Sequence, residues 1–416
     1  MNFDESPEEA AYRAKVRTWI AANAPDLSVL SPTEQRQWHP RHKEVARLWQ
    51  TAKADAGYAC ISWPKAWGGA DGTAIEEAVF GQEETRAGMQ FNYFRTGLDM
   101  LLPALMEHNK DEASLARVPP AVRGEEIWCQ LFSEPASGSD SAGVRCAAVR
   151  DPGSGSGAGG DDWVINGQKV WNSGAQIADY GMLVARTNPD VPKHKGLTVF
   201  WLDMKTPGVE VRPIRMMSGD NELNEVFLTD VRLPDSQRVG EEGGGWKVII
   251  TTLMNERASL GSGTGLNWRD ILDLARETPS FDGPALDDPA FREWLADLYV
   301  DAEAIRLLSF RTLTSLSKGA TPGPEGSAGK LLWSNLAQTL TDKALDILDH
   351  QGLLDDPDEA AMNGAFQHRF LWAPGLRLGG GTDEIMKNII AERVLGLPGD
   401  IRVDKTVPFR EIPTGR

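Results

Sequence analysis

The stretch Leu131-Phe132-Ser133-Glu134-Pro135-Ala136-Ser137-Gly138-Ser139-Asp140 decides how this chain reads. It follows the apolar run Ile127-Trp128-Cys129-Gln130-Leu131, and Pro135 and Gly138 end any regular element there. The result is a tight polar loop. Its hydroxyls and free backbone N–H groups suit an anionic or heterocyclic ligand. A second loop, Asn166-Gly167-Gln168-Lys169-Val170-Trp171-Asn172-Ser173-Gly174, sets an aromatic ring among further small polar donors. Small polar loops are ordinarily plain turns. The pairing of these two, with strand-like runs between them, asks for an explanation.

Working outward, the period of the apolar residues changes twice. From about Pro7 to Glu126 it is helical. Ala11, Val16, Trp19 and Ile20 recur at helical spacing after a Ser6-Pro7 start signal, and Val45–Ala59 and Ala74–Ala87 read alike. Trp63–Gly72, with Pro64 and several glycines, is loop, and Trp38-His39-Pro40-Arg41-His42-Lys43 reads as a solvated turn. From Ile127 to about Pro234 the runs are short and strand-like: Trp163–Ile165, Met182–Ala185, Leu197–Leu202 and Glu225–Leu228. Asn166-Gly167 and Pro207-Gly208 punctuate them as turns, and Gly153–Gly160 reads as a hairpin tip. Helices return at Trp246–Leu260, Phe291–Lys318, Lys330–Leu348 and Asp383–Leu395, with a Pro/Gly break at Gly319–Gly326. Pro398–Arg416 carries little pattern and is expected to wrap a neighbouring subunit or fray. Helices, then strands, then helices predict an α+β protein with a β-domain between two helical domains. The expected boundaries are 1–126, 127–238 and 239–398, followed by a tail over 399–416.

Composition narrows the function. With 416 residues, 41% of them hydrophobic, the chain can bury a sizeable core. A net charge of -17 argues against a nucleic-acid partner, whose phosphates need a basic face. Cys60, Cys129 and Cys146 form no CxxC pair, so neither a disulfide framework nor a zinc site is indicated. The acidic start Met1–Ser6 has no apolar core, and no run is long enough for a membrane span; a cytoplasmic setting is expected. No histidine pair reads as a metal site, and no GxGxxG follows a strand. Gly323–Lys330 is no phosphate loop, because Pro324 and Leu331 occupy positions that a Walker loop gives to other residues.

The two loops resemble those that hold the flavin of FAD in the acyl-CoA dehydrogenase family. The resemblance extends over nearly the whole chain, from Trp63-Pro64-Lys65-Ala66-Trp67-Gly68-Gly69 to Ile389-Ile390-Ala391-Glu392-Arg393-Val394-Leu395-Gly396. It implies an N-terminal helical domain, a β-barrel-like middle domain and a C-terminal four-helix bundle. It also implies α,β-dehydrogenation of an acyl-CoA thioester: a base takes the α-proton and the β-carbon gives hydride to flavin N5. By position, the flavin contacts fall on Gln130, Phe132, Ser133, Gly138 and Ser139 from the first loop and on Trp171 and Ser173 from the second. Thr382 and Glu384 complete them. Ser139, Arg257 and Gly380 are the expected substrate contacts. The implied partners are an acyl-CoA, an electron-transfer flavoprotein as acceptor, and further subunits in a homodimer, a homotetramer or a hetero-oligomer.

The base must be a carboxylate among apolar groups, since desolvation raises its pKa toward working pH. Many family members carry it directly before Gly-Thr. Here that signature reads Leu378-Gly379-Gly380-Gly381-Thr382-Asp383, with Gly380 at the position of the glutamate. Long-chain and isovaleryl-type members place it instead in a Glu-Arg pair on the first helix of the C-terminal domain, and Asn255-Glu256-Arg257 matches that pair. The resemblance therefore assigns the base to Glu256. Two departures fall at the adenine end of the cofactor, at Arg276–Gly283 and at Asp349-His350-Gln351-Gly352. The alternatives on this fold are a non-catalytic subunit of a hetero-oligomer and a flavin oxidase or monooxygenase.

Overall fold

Capping residues set the N-terminal helices. Helix α1, Pro7–Asn23, opens with a reciprocal box: Glu9 N donates to the Ser6 hydroxyl, and Ser6 N donates to the Glu9 carboxylate. Thr73 and Glu76 repeat the device at α3, Ala74–Arg86. Between them runs α2, Pro40–Asp55. The computed structural model describes residues 5–35, 38–154, 161–259, 265–280, 283–318 and 323–413.

The segment read as a solvated turn at Trp38–Lys43 is instead the entry to α2, because Pro40 suits the first helical turn. His42 is buried there with a ring nitrogen 3.1 Å from the Tyr93 hydroxyl, and burial pushes its pKa down to about 4. Trp38 N donates to the same hydroxyl at 2.8 Å. A π-turn over Thr96–Leu101 leads into α4, Leu102–His108, and the short helices α5, Glu112–Leu115, and α6, Val118–Val122, follow.

The middle of the chain is one eight-stranded sheet. Its strands are β1 Trp128–Leu131, β2 Ala147–Arg150, β3 Trp163–Lys169, β4 Tyr180–Arg186, β5 Leu197–Asp203, β6 Val209–Pro213, β7 Asn224–Leu233 and β8 Arg238–Val239. They lie in the order β6-β7-β3-β2-β4-β5-β8, and β1 pairs in parallel with β4. The period-two alternation of β4 gives both faces to cores. Met182 and Val184 join Leu101, Leu105, Val248 and Ile249 on the helical side, whereas Leu183 and Ala185 join Trp163, Phe200 and Leu228.

Asn166-Gly167 is not a turn. It lies inside β3, at a register shift against β7, and Asn166 exchanges hydrogen bonds with Asp230 at 2.9 and 3.0 Å. Glycine is needed there because a Cβ on Gly167 would stand 2.7 Å from Cys146 Cα. The second loop therefore begins after Lys169. The expected hairpin flanks are present, with β2 and β3 antiparallel, while residues 155–160 of its tip lie outside the described residues.

The C-terminal part comprises α7 Gly245–Ser259, α8 Trp268–Glu277, a minimal pair of β9 Pro279–Ser280 with β10 Gly283–Pro284, α9 Pro289–Ser317, α10 Gly326–Leu348, α11 Ala365–Trp372 and α12 Asp383–Ile389. Helix α10 is central, packing against α9, α11 and α12. The closing helix, expected to run to Leu395, widens into a π-turn over Ile390–Val394.

The described part of the tail folds back onto its own chain near its end. Phe409 N and Arg410 N donate to the carbonyls of Val191 and Pro189, and the buried Phe409 ring lies 3.6 Å from the Arg186 guanidinium carbon. No helix among the described residues is long and apolar enough to cross a membrane.

Candidate active site

Two features bring the sequence-predicted loops together. Lys169, at the end of β3, is fully buried, and its ammonium donates to Glu134 Oε1 at 2.7 Å and to the Phe132 carbonyl at 3.0 Å. The Glu134 carboxylate in turn accepts from Arg145 N at 2.6 Å and Cys146 N at 2.9 Å. Glu134 and Ser137 also exchange backbone hydrogen bonds at 2.9 and 3.0 Å, closing a tight turn around Pro135-Ala136. Across the gap, Val170 N donates to the Ser133 carbonyl and Asn172 Nδ2 to the Gln130 carbonyl.

The predicted residues lie on these two braced loops. Trp171 has a left-handed backbone, φ +63°, and its ring is 58% exposed. Such a conformation costs a non-glycine residue about 1 kcal/mol and clusters at functional sites. Ser133 and Ser173 are half-buried, Phe132 is buried, and Gly138 and Ser139 are exposed with open space above Gly138. Behind the loop, Trp38 fills the place where a Cβ on Gly174 would stand, 3.0 Å away.

These features fit a flavin. The indole offers a flat uncovered face, and Asn172 Oδ1 is buried without a partner among the described residues. Gln130, Phe132, Ser133, Gly138, Ser139, Trp171 and Ser173 would hold it.

Loop residues 222–224 carry this edge to the helical bundle. Asn172 N and Gly174 N donate to the carbonyls of Asn224 and Glu222. Glu222 accepts from the Trp372 indole at 3.2 Å, and Asp220 stands 2.6 Å from His368 Nε2, both partners on α11. Burial raises the pKa of Glu222.

The bundle supplies the other group of predicted residues. Glu256 lies half-buried on α7, three residues beyond Leu253, which packs against the core containing Val248 and Ile249. Arg257 follows on the same helix; its side chain, like Leu260, lies outside the described residues. The glycine turn approaches the bundle through the buried Lys330 of α10, whose ammonium donates to the Gly381 carbonyl at 2.7 Å and lies 3.4 Å from Asp383 Oδ1. Burial lowers the pKa of Lys330, against the opposing pull of Asp383 and, after it, of Glu256. Thr382 caps α12 by accepting from Ile385 N, and Glu384 is exposed in the first turn. Gly380 has φ +68°.

A separate cleft of about 450 Å³ lies between α10 and α11, lined by Met217, Gln338, Thr341, Phe370 and Pro374 among others, and by none of the predicted site residues. Sequence reasoning missed Glu134, Lys169, Arg186, Lys193 and Lys330. Their signal was an ionisable side chain that folding buries, which in one sequence looks like an ordinary surface charge.

Comparison with known proteins identifies the family. Residues 6–125, 129–231 and 243–395 match the N-terminal, middle and C-terminal domains of acyl-CoA dehydrogenase. The chain is 37% identical to the acyl-CoA dehydrogenase FadE34 of Mycobacterium tuberculosis over 92% of its own length, and it spans 49% of that longer protein. It is 34% identical to the acyl-CoA dehydrogenase IpdE1 of Mycolicibacterium smegmatis, covering 95% of this chain and 99% of that one. Among solved structures, the Tcur3481-Tcur3483 steroid ACAD superposes with a TM-score of 0.80 at 28% identity, over 96% of this chain and 100% of that one.

Breaking a buried ion pair leaves an uncompensated charge and costs about 3–5 kcal/mol. Lys169→Met should therefore lower stability to urea by about 3 kcal/mol. A loss too small to measure would mean that Glu134 is held well enough by Arg145 N and Cys146 N alone.

Proposed function

The chain belongs to the acyl-CoA dehydrogenase family, and we propose that it oxidises the Cα–Cβ bond of an acyl-CoA with Glu256 as the base. One observation carries the assignment. The turn that ends at Thr382 has glycine at position 380, and Glu256 stands half-buried on α7, three residues beyond Leu253 of the apolar core. Leu253, one turn before it, packs against the apolar core that holds Ile249, and a carboxylate kept among apolar groups is the kind suited to take a proton. When bound, FAD supplies the acceptor for the hydride that leaves the β-carbon.

The chain's own residues prepare that site. Trp171 walls the flavin, Ser173 and Ser133 offer hydroxyls at its edge, and Gln130, Phe132, Gly138 and Ser139 line the approach from the first loop. Thr382 and Glu384 close it from the bundle. Ser139, Arg257 and the space at Gly380 contact the acyl-CoA. The matched ranges support division into domains over 1–126, 127–238 and 239–398.

An electron-transfer flavoprotein is the proposed acceptor. Exposed Leu353, Leu395, Ile401 and Val403 support association with further subunits, as a homodimer, a homotetramer or a hetero-oligomer. The two-component name of the Tcur3481-Tcur3483 relative favours the last as a second reading.

Three outcomes test the proposal. Trp171→Ala with Ser173→Ala should release FAD on gel filtration; full retention would refute the loop assignment. Glu256→Gln should keep FAD and lose turnover by on the order of 10²-fold. Near-normal anaerobic flavin bleaching would remove Glu256 from the mechanism. Third, the vacated space at Gly380 should admit acyl groups branched or ringed near the carbonyl, in line with the steroid substrate named for the solved relative. Wild-type kcat/KM should then favour cyclic or steroid-derived acyl-CoAs over straight chains, and an enzyme restricted to straight chains would exclude this.

A further inference from the structure

The first loop is fastened at two places. Lys169 holds Glu134 near its start. At its end, both carboxylate oxygens of Asp140 accept from the Lys193 ammonium at 2.9 Å. Gly138 and Ser139 stand exposed between the two fastenings, and the Ser141 hydroxyl reaches the Gly138 carbonyl only at 3.4 Å. Lys193 itself is 7% exposed, and a second carboxylate, Asp404, accepts from the same ammonium at 2.5 Å. Lys193 lies between β4 and β5, and Asp404 lies in the tail. One buried cation thus ties three segments that are far apart in the chain.

The tail shields this knot from water. Phe409 is 5% exposed, and its ring lies 3.6 Å from the guanidinium carbon of Arg186 and 5.0 Å from that of Arg145. Beneath the ring, Arg186 donates to the carbonyls of Val144, Lys193 and Ala142 at 3.1, 2.8 and 2.6 Å. Those carbonyls belong to the chain leaving the first loop and to the lysine's own backbone. Phe409 N and Arg410 N, donating to Val191 and Pro189, lay the tail along the same β4–β5 connection. A charged hydrogen bond shielded from water is stronger than the same contact in water.

We propose that the C-terminal segment 404–412 is a clamp on the first loop, acting through Lys193 as a positioning residue that holds Asp140, and with it the adjacent Ser139, in place for FAD. The proposal rests on the reading of this loop as a cofactor site. A loop ordered before binding spares the ligand the entropy of ordering it. Two bonds from Lys193 fix the Asp140 side chain and so restrict the backbone on either side of it. Asp404 and Phe409 keep the lysine and its neighbour Arg186 out of water. Lys193 touches no ligand itself; its effect passes through Asp140.

The measurement is the dissociation constant of FAD, read from flavin fluorescence on dilution of the holoenzyme, with the urea midpoint of each variant taken beside it. Lys193→Gln should raise the Kd about tenfold, the scale of one further residue that must be ordered on binding. Asp140→Asn should raise it by a similar factor, and Phe409→Ala should move it in the same direction. Because the lysine acts through Asp140, the double variant of Lys193→Gln with Asp140→Asn should bind no more weakly than either single one. Arg410→Ala is the control on the same tail. It removes only an exposed pair with Asp190, 2.7 Å apart, and should bind FAD as the wild type does.

A purely structural lysine would lower the urea midpoint and leave the Kd of Lys193→Gln unchanged, which would overturn the proposal. Effects of Lys193→Gln and Asp140→Asn that simply add would overturn it too. If Lys193→Gln fails to fold, Asp140→Asn and Phe409→Ala decide, and wild-type binding in both rejects the clamp. Trp171→Ala with Ser173→Ala, run in parallel, separates the two claims. Release of FAD by that variant, with an unmoved Kd in Lys193→Gln, rejects the clamp alone. Full retention of FAD by it rejects the cofactor site and the clamp together.

Discussion

The ion pair between Lys169 and Glu134 holds the two loops of the proposed cofactor site in shape. Strands β1 and β2 both lie beside β4, one near Tyr180 and the other near Arg186, and the first loop must bridge the gap between them. Glu134 ties the loop's start to its end by accepting from Arg145 N and Cys146 N. Lys169 then fastens that knot to the end of β3, from which Trp171 projects two residues later. Both charges are buried, so each requires its partner and the surrounding hydrogen bonds. The arrangement is therefore rigid for a reason that chain entropy alone would oppose: releasing one member strands the other away from water.

The outer face of the same loop is closed by the tail. Arg186 donates to the carbonyls of Ala142, Val144 and Lys193, and the Phe409 ring covers its guanidinium. Lys193 bridges Asp140 and Asp404, joining the last residue of the loop to the returning C-terminal segment. Burial lowers the Arg186 pKa to about 10, still well above any working pH, so the guanidinium remains a cation for the ring to cover.

Much of this was legible in the sequence, and the reasons for the rest are physical. The strands showed themselves because apolar residues crowd Met182–Ala185 and Leu197–Leu202, and the helices because a Ser-Pro start and 3.6-residue spacing are local signals. The small polar residues of the two loops stood out through Pro135, Gly138 and Gly174. Asn166-Gly167 misled because the dipeptide favours a turn, whereas its glycine answers a long-range need, the approach of Cys146. Lys169, Lys330 and His42 were illegible for a related reason. Their burial depends on partners 35, 51 and 51 positions away, namely Glu134, Gly381 and Tyr93. The tail gave no pattern because a single aromatic, Phe409, anchors it.

The glycine turn shows why the position of the base cannot be treated as a free choice of one residue. Gly380 holds φ +68°, where a side chain bearing Cβ costs about 1 kcal/mol or more. A glutamate placed there by substitution would strain the turn as well as fill the space proposed to lie beside the thioester. Loss of activity in Gly380→Glu would then mix strain with steric exclusion, and only the difference between bulky and straight substrates would report on the pocket. The backbone of the turn, the lysine beneath it and the carboxylate on α7 thus form one arrangement. The turn is left-handed and free of side chains at Gly380 and Gly381, a buried cation holds its carbonyl, and the proposed proton acceptor comes from another helix.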